Sequence, residues 1–67
     1  MNSIDRENLN RWIDGSKRMG FDVEGRTESG LWITKTKSGK PIMRLRYHPE
    51  KEANKRFEFE NITYTFL

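Results

Sequence analysis

The sequence predicts an α+β domain: an N-terminal amphipathic helix packed on a four-stranded antiparallel β-meander, strongly twisted or curled toward a small barrel. Three observations predict it. Apolar residues before Gly20 recur at a helical period. From Phe21 onward the apolar period is two. Short turns containing Gly or Pro separate the alternating runs.

The helix is expected over about Ser3 to Met19. Ser3 is a suitable N-cap, and Asp5 and Glu7 fall in the first turn, where the helix dipole favours acids. Ile4, Leu9, Trp12, Ile13 and Met19 share one broad side. Lys17 and Arg18 occupy the last turn, and Gly20 suits the position just past the helix. Gly15 is the weak point, since Gly inside a helix costs about 1 kcal/mol against Ala. An early stop near Asp14 is the alternative.

Four strands follow. Phe21 to Thr27 alternates Phe21 and Val23 with Asp22 and Glu24. Glu28-Ser29-Gly30 is a turn, and Leu31 to Lys37 is a second strand rich in β-branched and aromatic residues. Ser38-Gly39 reads as a tight two-residue turn, after which Ile42 to Tyr47 forms a third strand. His48 to Lys55 is a polar loop with room for one helical turn after Pro49. The fourth strand, Arg56 to Phe66, changes parity: Phe57 and Phe59 fall on one side, Ile62, Tyr64 and Phe66 on the other. A β-bulge near Glu60-Asn61 would restore one face.

The chain has 67 residues, enough for a single domain spanning 1–67. Hydrophobic residues make up 33% and charged residues 34%, a balance that raises the question of disorder. Eight aromatics at structured periods, and charges of mixed sign, argue for a folded chain. With no Cys and one His, disulfides and the usual zinc clusters are excluded, and no cofactor is expected. No apolar run approaches the roughly 18 residues of a membrane span. The first residues are too polar for a signal peptide, so a cytoplasmic location is expected. A chain this short buries only about 60% of its unfolded surface, which makes a deep catalytic pocket hard to build. His48 has no recognisable nucleophile and orienter in the sequence, so a non-enzymatic role is expected.

The functional clue lies in the central hairpin. A two-residue turn would pair Lys37 with Lys40, Lys35 with Ile42, Thr34 with Met43, Ile33 with Arg44, Trp32 with Leu45 and Leu31 with Arg46. One face then holds Trp32, Thr34, Met43, Leu45 and Tyr47 and packs under the helix. The other gathers Lys35, Lys37, Lys40, Arg44 and Arg46, with Leu31, Ile33 and Ile42 between them. No Asp or Glu occurs between Glu28 and Glu50. The overall charge of +3 therefore conceals a segment of +5. Like charges side by side destabilise a sheet, and a phosphate-bearing partner would relieve them. Arg offers bidentate forks and Lys point charges to such a partner.

These five residues are the expected nucleic-acid-binding set, with duplex favoured over single strand because the face carries aliphatics rather than stacking aromatics. The bland alternative is a solvated basic face, since Lys commonly guards sheet surfaces against aggregation. The runner-up function is a protein-binding inhibitor or adaptor of the phage or mobile-element type, a viral protein acting on a larger cellular machine or on an acidic protein surface. The uncharged C-terminal strand, with Ile62, Tyr64 and Phe66, offers a partner-binding or homodimer contact if it forms a sheet edge.

Overall fold

The computed structural model describes residues 1–26 and 28–62. A helix, α1 (Ser3–Arg18), precedes four strands: β1 (Asp22–Arg26), β2 (Leu31–Lys35), β3 (Pro41–Tyr47) and β4 (Phe57–Asn61). A single 3-10 turn, Ala53–Lys55, lies between β3 and β4. The strands form one antiparallel sheet in the order β1-β2-β3-β4. This is the expected α+β meander. It remains an open sheet and does not close into a barrel.

The helix is capped one residue earlier than Ser3. The side chain of Asn2 accepts a hydrogen bond from the Asp5 backbone N–H at 2.8 Å. Asn and Ser cap equally well, and the choice falls to the residue with extended backbone, which here is Asn2. The helix runs unbroken through Gly15. It ends in a Schellman arrangement: Gly20 N–H donates to the Lys17 carbonyl and Phe21 N–H to the Ser16 carbonyl, with Gly20 at φ +94°.

The hairpin register between Leu31↔Arg46 and Thr34↔Met43 is the expected one. Its tip is not. Thr36 N–H donates to the Lys40 carbonyl, Gly39 N–H donates to the Thr36 carbonyl, and Lys40 N–H donates to Thr36 Oγ1. Lys37, Ser38 and Gly39 thus make a three-residue loop between Thr36 and Lys40. Lys35 is opposite Pro41 instead of Ile42, and a bulge between Thr34 and Lys35 of the register absorbs the extra residue. The three-residue loop shifts the register by one, and Ile42 shifts it back. Gly39, at φ +94°, supplies the left-handed residue that such loops need.

The bulge expected at Glu60-Asn61 is absent through the described pairs, since Arg44↔Glu60 and Met43↔Asn61 follow one another regularly. The irregularity lies one strand away, at Ile42, whose carbonyl accepts the Ile62 N–H at 3.1 Å. Ile62 is buried there despite sharing the strand parity of Glu58 and Glu60. Bulges increase local twist, which explains how this corner turns inward. Tyr64 and Phe66 lie outside the described residues.

Leu9, Trp32 and Leu45 form the core, with Trp12, Ile13, Val23, Tyr47 and Phe57 packed around it. Leu45 is fully buried. The aromatic rings of Trp12 and Phe59 meet at 5.8 Å and those of Tyr47 and Phe57 at 5.0 Å, both tilted, as their quadrupoles prefer. Gly25 has a specific job: a Cβ there would lie 2.5 Å from both the Leu31 carbonyl oxygen and Trp32 Cδ1. Its missing side chain lets the Trp32 ring lie against β1. No helix among the described residues is long and apolar enough to cross a membrane.

Candidate functional site

Strand alternation sends Trp32, Thr34, Leu45 and Phe57 toward the helix and leaves a second, outward sheet face. Three rows cross that face. Asp22, Lys35 and Pro41 form one; Glu24, Ile33, Arg44 and Glu60 the next; Arg26, Leu31, Arg46 and Glu58 the third. Of the five cations expected together, Lys35, Arg44 and Arg46 lie in these rows. Lys37 sits in the loop beside them. Lys40 pairs with Thr36, in the parity of the core-facing residues, because of the three-residue loop.

The face is not the acid-free surface that the hairpin alone suggests. The outer strands carry carboxylates onto it. Lys35 Nζ pairs with Glu24 and Arg44 pairs with Glu60. Lys37 Nζ lies 3.0 Å from Asp22 Oδ1. The hydrogen bond from Lys35, reinforced by its charge, holds the Glu24 carboxyl below its usual range. Basic inner strands and acidic outer strands therefore neutralise each other. The repulsion expected among the cations is relieved within the fold. The signal was present in the sequence: Asp22 and Glu24, like Glu58 and Glu60, share one parity, and both pairs flank the basic hairpin.

On the strands and the hairpin, Arg26, Lys40 and Arg46 keep no carboxylate within ion-pair distance among the described residues, as is also true of Arg6, Lys17, Arg18, Lys51 and Lys55 on the helix and the β3–β4 loop. Arg46 faces Glu58 across the β3–β4 pair, but His48 Nε2 lies 3.0 Å from Glu58 Oε1 and holds that carboxylate. The His48 hydrogen bond is the main reason the Glu58 carboxyl sits below its usual range, and Arg46 adds to it through space. Nδ1 of His48 is 3.7 Å from Glu50 Oε1. The lone histidine thus lies between two carboxylates. Ser29, near it on the same hollow, donates its hydroxyl to the Arg26 carbonyl. Among the described residues, no group of three or more His, Cys, Asp or Glu side chains is arranged to hold a metal ion.

A second cluster escaped the sequence reading. Asp5, only 3% exposed, accepts hydrogen bonds from Arg56 at 2.6 and 3.2 Å and from the Tyr47 hydroxyl at 2.7 Å. The Arg56 bond, then the Tyr47 bond, holds the Asp5 carboxyl below its usual range and outweighs the opposing effect of burial. The same bond raises the Tyr47 hydroxyl above its ordinary value. Spacing identifies Asp5 only as a first-turn acid, because its partners Tyr47 and Arg56 come from the far end of the chain.

On the helix side, Trp12, Gly15, Ser16, Met19, Phe21, Thr34 and Met43 line an apolar groove of about 300 Å³. Met19 is 75% exposed and Phe59 52%. Ile62, expected at an interaction edge, is buried and bonded to β3. Compared with known proteins, the chain matches no family model, no curated protein and no solved structure.

Proposed function

We propose that this chain is a small, non-enzymatic binding protein whose outward sheet face contacts nucleic-acid phosphates. The observation that carries the proposal is a broad, helix-free sheet face on which Arg26 and Arg46 retain no carboxylate partner, in a chain of net charge +3. Lys35 and Arg44 share the face, with Lys37 in the loop beside it, but each is paired with a carboxylate of the fold, and Lys40 falls in the opposite parity. Flat faces of this kind ride on backbone phosphates, and their affinity comes from counterion release. The aliphatic residues Leu31 and Ile33 between the cations favour duplex over single strand, since base stacking needs exposed aromatics. The test is binding to duplex DNA and duplex RNA at low and moderate salt, with single strands for comparison. Steep loss of affinity with salt and a preference for duplex support the proposal. Absence of binding at low salt overturns it.

A second reading is an inhibitor or adaptor that docks on a protein. It is favoured by the exposed apolar side chains Ile4, Met19 and Phe59. A single stoichiometric protein partner that survives nuclease treatment would support it. Such a partner competing with polyanion would place both on one face.

A further inference from the structure

Three cations on or beside the outward face are already occupied. Lys35 is held by Glu24, Arg44 by Glu60 and Lys37 by Asp22. A partner phosphate must compete with those carboxylates to reach them. Arg26 and Arg46 make no direct ion pair, and the carboxylates they act on through space, Glu24 and Glu58, are each bonded to another residue. The two arginines lie in one cross-strand row, Arg26↔Leu31↔Arg46, with one strand between them. Two strand spacings separate their backbones by about 10 Å. Both are exposed, and Leu31 between them is half-buried.

Two shallow hollows meet at this row. One, of about 230 Å³, is lined by Arg26; the other, of about 290 Å³, by Arg46. Ser29 and Leu31 belong to both. Glu58, which ends the row on β4, is bonded to His48, and Glu24 on β1 is bonded to Lys35.

We infer that Arg26 and Arg46 form a two-pronged phosphate clamp across Leu31, and that Lys35, Lys37 and Arg44 balance charge within the fold rather than bind. This rests on the nucleic-acid reading above and locates its contact. Each guanidinium offers a planar fork that matches a phosphate. A duplex strand carries one charge about every 3.4 Å of axis, so both forks find phosphates within side-chain reach. Leu31 packs toward the sugar between them.

The experiment measures fluorescence anisotropy of a short labelled DNA duplex at several salt concentrations. The proteins are wild type, R26A/R46A and K35Q/K37Q, each checked for its thermal unfolding transition. The expected result is that R26A/R46A binds at least about tenfold more weakly, because two charge-assisted contacts are lost. Its log-log salt slope falls by roughly two, about 0.9 for each contact. K35Q/K37Q stays close to wild type in both. E58Q, which removes the carboxylate facing Arg46, binds more tightly than wild type and tests the clamp without removing it. If the duplex binds and K35Q/K37Q weakens it while R26A/R46A does not, the clamp is wrong and the nucleic-acid reading stands. If wild type does not bind the duplex at low salt, both are overturned.

Discussion

Asp5 and Arg56 are 51 residues apart in sequence and joined by two hydrogen bonds, from Arg56 Nε to Asp5 Oδ2 at 2.6 Å and from the second guanidinium nitrogen to Oδ1 at 3.2 Å. The pair ties the first turn of the helix to the start of β4. Tyr47 on β3 completes it, and the Arg56 carbonyl accepts the His48 N–H at 2.7 Å. Replacing Arg56 by Ala leaves the Asp5 carboxylate shielded from water and without its main donor, so it lowers the midpoint of thermal unfolding. Arg56→Lys, which keeps the charge but loses the fork, recovers only part of the loss.

The same pair sets an acid limit. The folded-state carboxyl of Asp5 lies below its ordinary value of 3.8. Its contribution to stability is therefore present above that ordinary value and is lost as pH falls through the lower folded one. Thermal melts of wild type and Asp5→Asn at neutral and acid pH check this. The gap between them is widest at neutral pH and narrows as pH drops below the usual carboxylate range. A gap independent of pH would mean that the charge on Asp5 is irrelevant to the fold.

Two glycines respond in opposite directions. Gly25→Ala forces a methyl group to within 2.5 Å of the Leu31 carbonyl and the Trp32 ring, and destabilises by roughly 1–3 kcal/mol as overpacking does. Gly15→Ala meets open space inside the helix and stabilises by up to about 1 kcal/mol. Urea melts of the two variants beside wild type measure both.

Leu45 is the most deeply buried side chain among the described residues, at 0% exposure beneath the helix. Leu45→Ala is expected to cost about 2–5 kcal/mol, the range for a large-to-small change in a packed core. In a domain of this size, that is a large share of total stability. Chemical denaturation reads the loss directly.

Much of the fold was legible because it is local. The change from helical to twofold period at Gly20 located α1 and β1, and alternation through Trp32, Thr34, Met43 and Leu45 fixed which sheet face meets the helix. The hairpin tip is not legible in the sequence, because Ser38-Gly39 fits a two-residue turn as well as the end of a three-residue loop. The choice depends on Thr36, whose hydroxyl accepts the Lys40 N–H. The bulge at Ile42 then restores the register beyond the tip. The charge balance of the outward face was missed for a different reason. Lys35 and Arg44 find their carboxylates on neighbouring strands, and only the registers of β1 and β4 reveal them. The Asp5–Arg56 pair depends on the whole fold and leaves no trace in spacing.

Titration of the isotope-labelled protein with a DNA duplex, followed by backbone amide NMR shifts, tests whether Arg26 and Arg46 contact the duplex. Shifts are expected to concentrate at Arg26, Leu31 and Arg46, to be weak at Lys35 and Lys37, and to fade as salt rises. Shifts confined to the helix, or a spectrum that does not change at low salt, would contradict that contact.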